Sequence, residues 1–597
     1  MNNYRYLYAK ISLFLGLLLI LLMPLVISSA TVFPYITPKA TTTQLSITFC
    51  LLAVVICNRS QLRITWIHVA ALAYLGIATV SAIIGVDPVL SLLGTYERQQ
   101  GVITIAYWFV FALCLAHLIR DERGWRFVFQ WASTGCYVIS LLALAHYFHI
   151  VTIDNLYQDS DRLSYTIGNA SIMGAYLACT MPLSTGLLAS AIREKGYSIE
   201  TVLHAAGLLI LTTTLVATGT RSAIIAGALW GCVAMFTLPR KIKLPFIGLM
   251  ICVALIAATL NWQLIEARLA DSTLQSIAIA GRLDAWSIAL RAITAAPIIG
   301  IGAENFLTAF GTLSLPGEAG LETFDHPHSH LLDIAVSSGI AGLACYAALI
   351  YSCAIALWRH QRRVNEDLTK ENTLIITGVL LMYQLTASVL FEAHVSQLLF
   401  YLALAYCLSI SPNLEPSLNL NWKIRLIGTG LTCVALLHTT TTWLDARAIQ
   451  PFTTSRWHQH ISTAANMNRP ESAIKIIAPK IWNDWRDLNS EQKAATVIML
   501  KNLTEQDPNF NWRTLSKLGY AWLRIAVDFP DEAMRISATA DRLLQLAPGR
   551  WETYEFLAYF YLAQREKEAA TEILRAYLEK DPKAARLRAM LRRLEAS

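Results

Sequence analysis

Charge is what this sequence has least of. Asp, Glu, Lys and Arg make up 15% of its 597 residues, where an ordinary soluble domain carries about 25%. Mean hydropathy is +0.45 and 55% of the residues are hydrophobic, which excludes a typical soluble enzyme. Cysteine is missing from the long polar stretch 263–330 and from everything after Cys433; all 11 cysteines lie in or beside apolar segments. None has metal-ligand spacing, so they are small buried apolar residues and not disulfides or ligands. An HExxH arrangement is also lacking, and Gly300-Ile301-Gly302 is too lean in glycine for a nucleotide loop, so it is expected to be a turn. The excess of positive charge, +7, orients loops in such a chain and implies no nucleic acid.

What is present is a series of apolar runs of roughly 20 residues, each long enough to cross about 30 Å of hydrocarbon as a helix. Thirteen spans are expected, at 11–30, 42–57, 64–85, 102–119, 127–149, 172–192, 202–217, 222–238, 245–262, 331–357, 373–391, 394–410 and 424–444. The first follows Arg5 and Lys10; it is long for a signal peptide and is taken as a retained helix. With the N-terminus in the cytoplasm, alternate loops carry Arg59/Arg63, Arg120/Arg123/Arg126, Arg193/Lys195, Arg240/Lys241/Lys243, Arg359/Arg362/Arg363 and Lys423/Arg425. The positive-inside rule is then obeyed throughout. The other face receives 87–101, 150–171, the turn at Thr218–Arg221, the loop 263–330, the turn 391–394 and the tail 446–597. The expected fold is all-α: a polytopic membrane helix bundle, 1–445, followed by a soluble helical domain, 446–597.

The tail is charged in both signs and helical in pattern. Ala547-Pro548 returns as Asp581-Pro582 after 34 residues, with Leu557-Ala558, Tyr561, Ala569-Ala570 and Leu578 between. That fits a pair of antiparallel helices of the tetratricopeptide type, whose concave surface would take a protein partner. An irregular helical domain is the plainer alternative.

Three constellations carry chemistry. Arg221, in Thr218-Gly219-Thr220-Arg221-Ser222, stands at the outer end of a span. A snorkelling anchor explains it, but Arg on the outer side runs against the positive-inside trend, and a planar fork of donors suits a lipid-linked phosphate. Gly281-Arg282-Leu283-Asp284-Ala285-Trp286, running on to Arg291, places Arg282 and Trp286 on one helix face; an interfacial helix without a chemical role is the alternative. His326-Pro327-His328-Ser329-His330 precedes a span. These histidines lack metal geometry, and one neutral imidazole there would serve as a general base. Polar loop histidines are the bland reading. Arg98, Arg162 ahead of Gly168-Asn169, Glu392 and His394 are lesser candidates.

At these residues the chain resembles the O-antigen ligase/polymerase superfamily over about 90–445. Arg162 with Gly168-Asn169, Arg221, the Gly281-Arg282…Trp286…Pro297…Gly300 pattern, and His328 eleven residues before Gly339 carry the resemblance. Ser329 stands where the family commonly has Asn. The resemblance implies a multi-pass GT-C-type glycosyltransferase of the bacterial inner membrane, working on the periplasmic face. It implies an undecaprenyl-diphosphate-linked glycan as donor, and lipid A-core, a glycan or a protein as acceptor. It further implies Arg221 and Arg282 on the diphosphate and His328 as base. Arg98, Arg162, Asn169, Trp286, Arg291, His326 and His330 would line the substrates. A single displacement without cofactor or metal, inverting the anomeric carbon, is expected. A lipid-linked glycan transporter and a membrane scaffold for the tail are the readings from other classes; the first lacks internal repeats and midplane charge, and the second leaves the Arg and His clusters unexplained.

Overall fold

The computed structural model describes residues 2–57, 61–95, 97–151, 162–196, 198–237, 248, 272–318, 322–364, 366–419, 422–454, 456–461, 470–506 and 510–596. The first helices are α1 (Asn2–Leu22), α2 (Thr37–Ile56), α3 (Trp66–Ile84), the short α4 (Pro88–Leu93), α5 (Val102–Leu118), α6 (Glu122–Tyr147), α7 (Ala170–Lys195), α8 (Ile199–Ala217) and α9 (Arg221–Thr237). After the undescribed interval come α10 (Ser272–Ala295), α11 (Phe306–Leu313), α12 (His330–Arg363), α13 (Asp367–Ala387), α14 (His394–Ile410) and α15 (Trp422–Ile449). Among the described residues, seven segments are long and apolar enough to cross a membrane: Tyr4–Leu25, Thr37–Ile56, Trp66–Ile84, Glu122–Tyr147, Ala170–Lys195, Ile199–Ala217 and His330–Arg363. Val102–Leu118, Arg221–Met235 and His394–Ile410 are apolar but shorter. The span expected at 245–262 lies outside the described residues.

Two boundaries differ from expectation. The first helix begins at Asn2 and gives way to a tight turn at Met23-Pro24, not at residue 30; proline cannot supply the N–H that would continue it. The loops before α3 and after α14 pair as antiparallel strands, β1 (Gln61–Ile64) and β2 (Leu414–Asn419), so among the described residues an otherwise helical fold carries one small sheet.

That sheet puts two expected same-side loops together. At the same end Glu371 takes Arg126 at 2.8 Å and Arg193, and Glu122 takes Asn372 at 2.7 Å. The opposite end joins Arg98 to Asp325 and Arg162 to the Thr218–Thr220 turn. These described loops thus sort into the two groups that the charge pattern of the sequence predicts, while the Arg240/Lys241/Lys243 loop lies outside the described residues.

Helix α12 is broken. Gly339, at φ +65°, interrupts it, and the segment after α10 docks in the gap: Ile340 and Ala341 N–H donate to Pro297 and Ile298 carbonyls at 2.8 and 3.1 Å, while Ile301 N–H donates to Val336 at 3.0 Å. A Cβ on Gly339 would stand 2.2 Å from the Ile298 carbonyl oxygen. The backbone groups freed by the break are thereby satisfied by another segment.

The tail continues with α16 (Pro470–Asp484), α17 (Ser490–Gln506), α18 (Trp512–Ile525), α19 (Ala533–Leu546), α20 (Trp551–Ala563), α21 (Lys567–Lys580) and α22 (Ala585–Ala596). Helices α19 and α21 both stop one residue before the Ala547-Pro548 and Asp581-Pro582 pairs. Its hydrophobic core is shared with the segment that carries α10 and α11. Ala285 and Ile288 of α10 and Phe306 and Phe310 of α11 pack in one cluster with Trp512, Leu515 and Trp522. Trp512 Nε1 donates to the Leu307 carbonyl at 3.0 Å. The buried Arg550 donates to the Glu322 carbonyl at 3.2 Å and lies over the Phe310 ring at 5.1 Å.

Candidate functional site

The histidine segment is held by carboxylates that the sequence does not single out. His326 Nδ1 lies 3.0 Å from Asp333 and its Nε2 3.4 Å from Glu304. Burial alone would lower this imidazole's pKa, but the two carboxylates overcome it and hold the pKa well above the usual value. His326 is therefore a cation at neutral pH and has no proton vacancy to offer. His330, the first residue of α12, places Nε2 3.3 Å from Glu392 and its ring edge-on to Tyr346 at 5.2 Å. Glu392 also accepts from Gln397 at 2.8 Å and from the Tyr383 hydroxyl.

His328 is different from both. Its ring stands edge-on between Phe324 at 5.3 Å and Phe391 at 5.1 Å. Its buried Nδ1 has no hydrogen-bond partner among the described residues. Burial, then the positive charges of Arg98 and Arg282, push its pKa down to about 4. Its imidazole is neutral at neutral pH. Its backbone is left-handed, at φ +52°, and so is that of Glu304, at +63°. Non-glycine residues adopt this region only where their surroundings enforce it, and such strain gathers at functional sites.

Arg98 forms a two-pronged pair with Asp325, at 2.7 Å on each prong, and covers the Phe391 ring at 4.0 Å. Burial alone would raise the Asp325 pKa; Arg98 reverses this and holds the carboxyl below its usual range. Beneath lies a cavity of about 50 Å³ lined by Arg98, Gln100, Glu392, His394 and Lys39. His394 is buried with neither ring nitrogen hydrogen-bonded among the described residues. Lys39 donates to the carbonyls of Val26 and Tyr35, at 3.0 and 2.9 Å, and of Thr166. No motif marks Lys39 in the sequence; its signal is an ammonium in the first turn of an apolar helix, after Thr37-Pro38, where charge is costly unless it is used.

The arginines fall into two groups. Arg162 is committed to the Thr218–Thr220 turn: Nε donates to the Thr218 carbonyl at 3.0 Å, and Nη2 to Thr220 Oγ1 at 2.9 Å and Ser171 Oγ at 3.2 Å. Asn169 caps α7, accepting from the Ser171 and Ile172 N–H groups at 2.8 and 3.2 Å. Arg291 pairs with Glu318 and reaches Ser287 at 3.2 Å. By contrast, Arg221, which opens α9, and Arg282 on α10 are exposed and make no ion pair among the described residues. Arg282 is close enough to depress His328. Gly281 lets it approach, since a Cβ there would stand 2.6 Å from a Glu322 carboxylate oxygen. Trp286, one turn further, keeps its indole N–H buried without a partner among the described residues. No hydrogen bond or ion pair among the described residues joins Arg221 to the histidine segment.

This end of the molecule therefore offers a neutral imidazole, an exposed guanidinium beside it, a second exposed guanidinium at a helix N-terminus, and a buried frame of ion pairs. Such a set can bind an anionic leaving group and accept a proton. No His, Cys, Asp and Glu cluster suited to a metal ion occurs among the described residues. No curated protein matches the chain. Residues 206–347, the interval that holds Arg221, Arg282, Trp286, Arg291 and all three clustered histidines, match the family model described as O-Antigen ligase, which supports ligase-like glycan transfer by a membrane protein.

Proposed function

We propose that the protein transfers a glycan from undecaprenyl diphosphate to an acceptor hydroxyl at the periplasmic face of the bacterial inner membrane. The observation that carries this reading is His328: half-buried, left-handed in its backbone and neutral, its buried Nδ1 without a hydrogen-bond partner among the described residues, under the field of the exposed Arg282, inside the interval that matches the O-antigen ligase model. Arg221 and Arg282 hold the diphosphate. The acceptor oxygen attacks the anomeric carbon as the bond from that carbon to the diphosphate oxygen breaks. The electron pair goes to the diphosphate, whose growing charge the two guanidiniums stabilise. The hydroxyl proton passes to His328. One displacement inverts the anomeric centre, and the reading requires neither a protonating acid for so acidic a leaving group nor a metal. His326, Arg98, Arg162, Asn169 and His330 position the loops around the reacting atoms, and the tail is a tetratricopeptide-like domain that receives a protein.

The acceptors this chemistry admits are lipid A-core, another lipid-linked glycan, as in a polymerase, and a Ser or Thr of a protein. The test is transfer by purified protein in nanodiscs supplied with undecaprenyl-diphosphate glycan from its own host. Release of undecaprenyl diphosphate together with a new conjugate is expected. Binding of the donor without release, in the presence of all three acceptor classes, would instead support a transporter.

A further inference from the structure

At the end that the charge pattern assigns to the cytoplasm, a cavity of about 80 Å³ opens between the start of α3, the end of α5 and the end of α14. Arg63, His68, His117, Arg120 and Ser409 line it, with Leu113, Ala116 and Leu408 as its apolar part. No Asp or Glu is among these residues. Arg63, on β1, is exposed and makes no ion pair among the described residues. His68 is oriented by the cap of its helix: the Thr65 N–H donates to its Nδ1 at 3.1 Å. A backbone N–H can only donate, so Nδ1 is the acceptor and the ring proton sits on Nε2. Arg63 and His68 thus bring donors to the cavity, and no carboxylate answers them from its lining.

A larger groove at this end, of about 230 Å³, carries Arg193 and Lys370 but also Asp367 and Glu371, and Arg193 is already paired with Glu371. The smaller cavity holds no such counter-charge in its lining, and guanidinium forks there suit a phosphate. Beside it the surface of α3 is apolar and open. Trp66, Val69 and Leu72 are 63%, 43% and 67% exposed, and Leu72 lies one turn beyond His68 on the same helix face. An indole at headgroup level with apolar side chains beyond it is what the glycerol and acyl chains of a lipid meet. A free phosphate would use the cavity alone, whereas a lipid uses the cavity and the face together. Basic pockets between helices on the cytoplasmic side bind anionic headgroups in this way.

We propose that this cavity holds the phosphate of an anionic phospholipid of the cytoplasmic leaflet, with the acyl chains along α3. The phosphate bridges Arg63 on β1, the His68 Nε2–H on α3 and Arg120 after α5, and so fastens these elements to one another. The site lies at the opposite end of the molecule from His328 and does not rest on the glycan-transfer reading.

The experiment uses the full chain in nanodiscs of phosphatidylcholine, of phosphatidylcholine with phosphatidylglycerol, and of phosphatidylcholine with inorganic phosphate added. Lipid retained through detergent extraction is read by native mass spectrometry, and the Tm is read in each disc. Arg63→Gln with Arg120→Gln removes the two guanidiniums. Ala116→Trp fills the cavity with every charge in place, and keeps the test open if the double variant fails to fold. Arg359→Gln with Arg363→Gln removes the same charge from exposed positions elsewhere at this end. The expected result is that wild type and the Arg359/Arg363 variant retain phosphatidylglycerol and gain Tm from it. Retention falls about tenfold or more in the other two variants, and their gain in Tm disappears. Equal retention by all four proteins, or a loss that follows net charge and spares Ala116→Trp, overturns the site. Protection of wild type by inorganic phosphate as strong as that by phosphatidylglycerol overturns the lipid assignment.

Discussion

At the scale of single residues, three histidines spaced two apart differ because of what surrounds them. His326 lies between two carboxylates, His330 beside one, and His328 between two phenylalanines and two arginines. Their separate surroundings were not legible in the sequence, because Glu304, Glu392, Arg98 and Arg282 reach them from distant parts of the chain. Arg221, Arg282 and His328 could be singled out from the sequence as candidates; the commitment of Arg162 to a turn and of Asn169 to a helix cap could not.

Two predictions belong here. His328 has a folded pKa of about 4, so the imidazole stays unprotonated as pH falls through the ordinary histidine range near 6.5. The acid limb of kcat/KM, which reports the free enzyme, is expected near pH 4 to 5; a limb at 6.5 to 7 contradicts the neutral, desolvated imidazole. His326 has the opposite sign. Its raised folded pKa contributes stability fully present below about pH 6.5, the value in the unfolded chain. That contribution fades as pH rises through the folded value. His326→Ala leaves Asp333 and Glu304 facing one another without a cation. It is expected to cost about 3 kcal/mol in a denaturation midpoint measured at pH 6; a loss below about 0.5 kcal/mol would show the pairing to be dispensable.

At the scale of elements, the break in α12 is the feature that a hydropathy reading cannot see. In the sequence the span expected from Leu331 onward runs on through Ser337-Ser338-Gly339 with no proline to mark a break. The turn expected at Gly300-Ile301-Gly302 is the segment that docks there, so two patterns separated in sequence are one joint in space. Gly339→Ala places a methyl 2.2 Å from the Ile298 carbonyl oxygen at a positive φ. The expected cost is about 2 kcal/mol or more, visible as a lowered Tm of the purified protein. An unchanged Tm would mean that the segment can withdraw freely. The end of α1 at Pro24 and the β1–β2 pairing belong to the same scale. The proline was visible, whereas strand pairing between residues 61–64 and 414–419 depends on how the helices between them return.

At the scale of the whole molecule, the sorting of loops onto two faces was the most legible property, because it follows from charge counting alone. The shared core between the α10–α11 segment and the tail was not, since Phe306, Phe310 and Trp512 look like ordinary apolar residues in separate stretches. This shared core predicts that the tail stabilises the loop that carries Arg282 and His328. Trp512→Ala removes a buried indole and its bond to Leu307. It is expected to cost about 3 kcal/mol and to raise hydrogen exchange in 281–313 as well as in the tail. Exchange confined to the tail would argue against a common unit.

The central claim is that His328 takes the acceptor proton while the exposed arginines hold the donor. Its most direct test compares wild type, His328→Ala and Arg282→Ala for undecaprenyl diphosphate release and for donor binding in the same nanodiscs. The account predicts that His328→Ala binds donor normally and transfers about a thousandfold more slowly, while Arg282→Ala loses donor affinity as well as rate. Transfer by His328→Ala within a few-fold of wild type would contradict it.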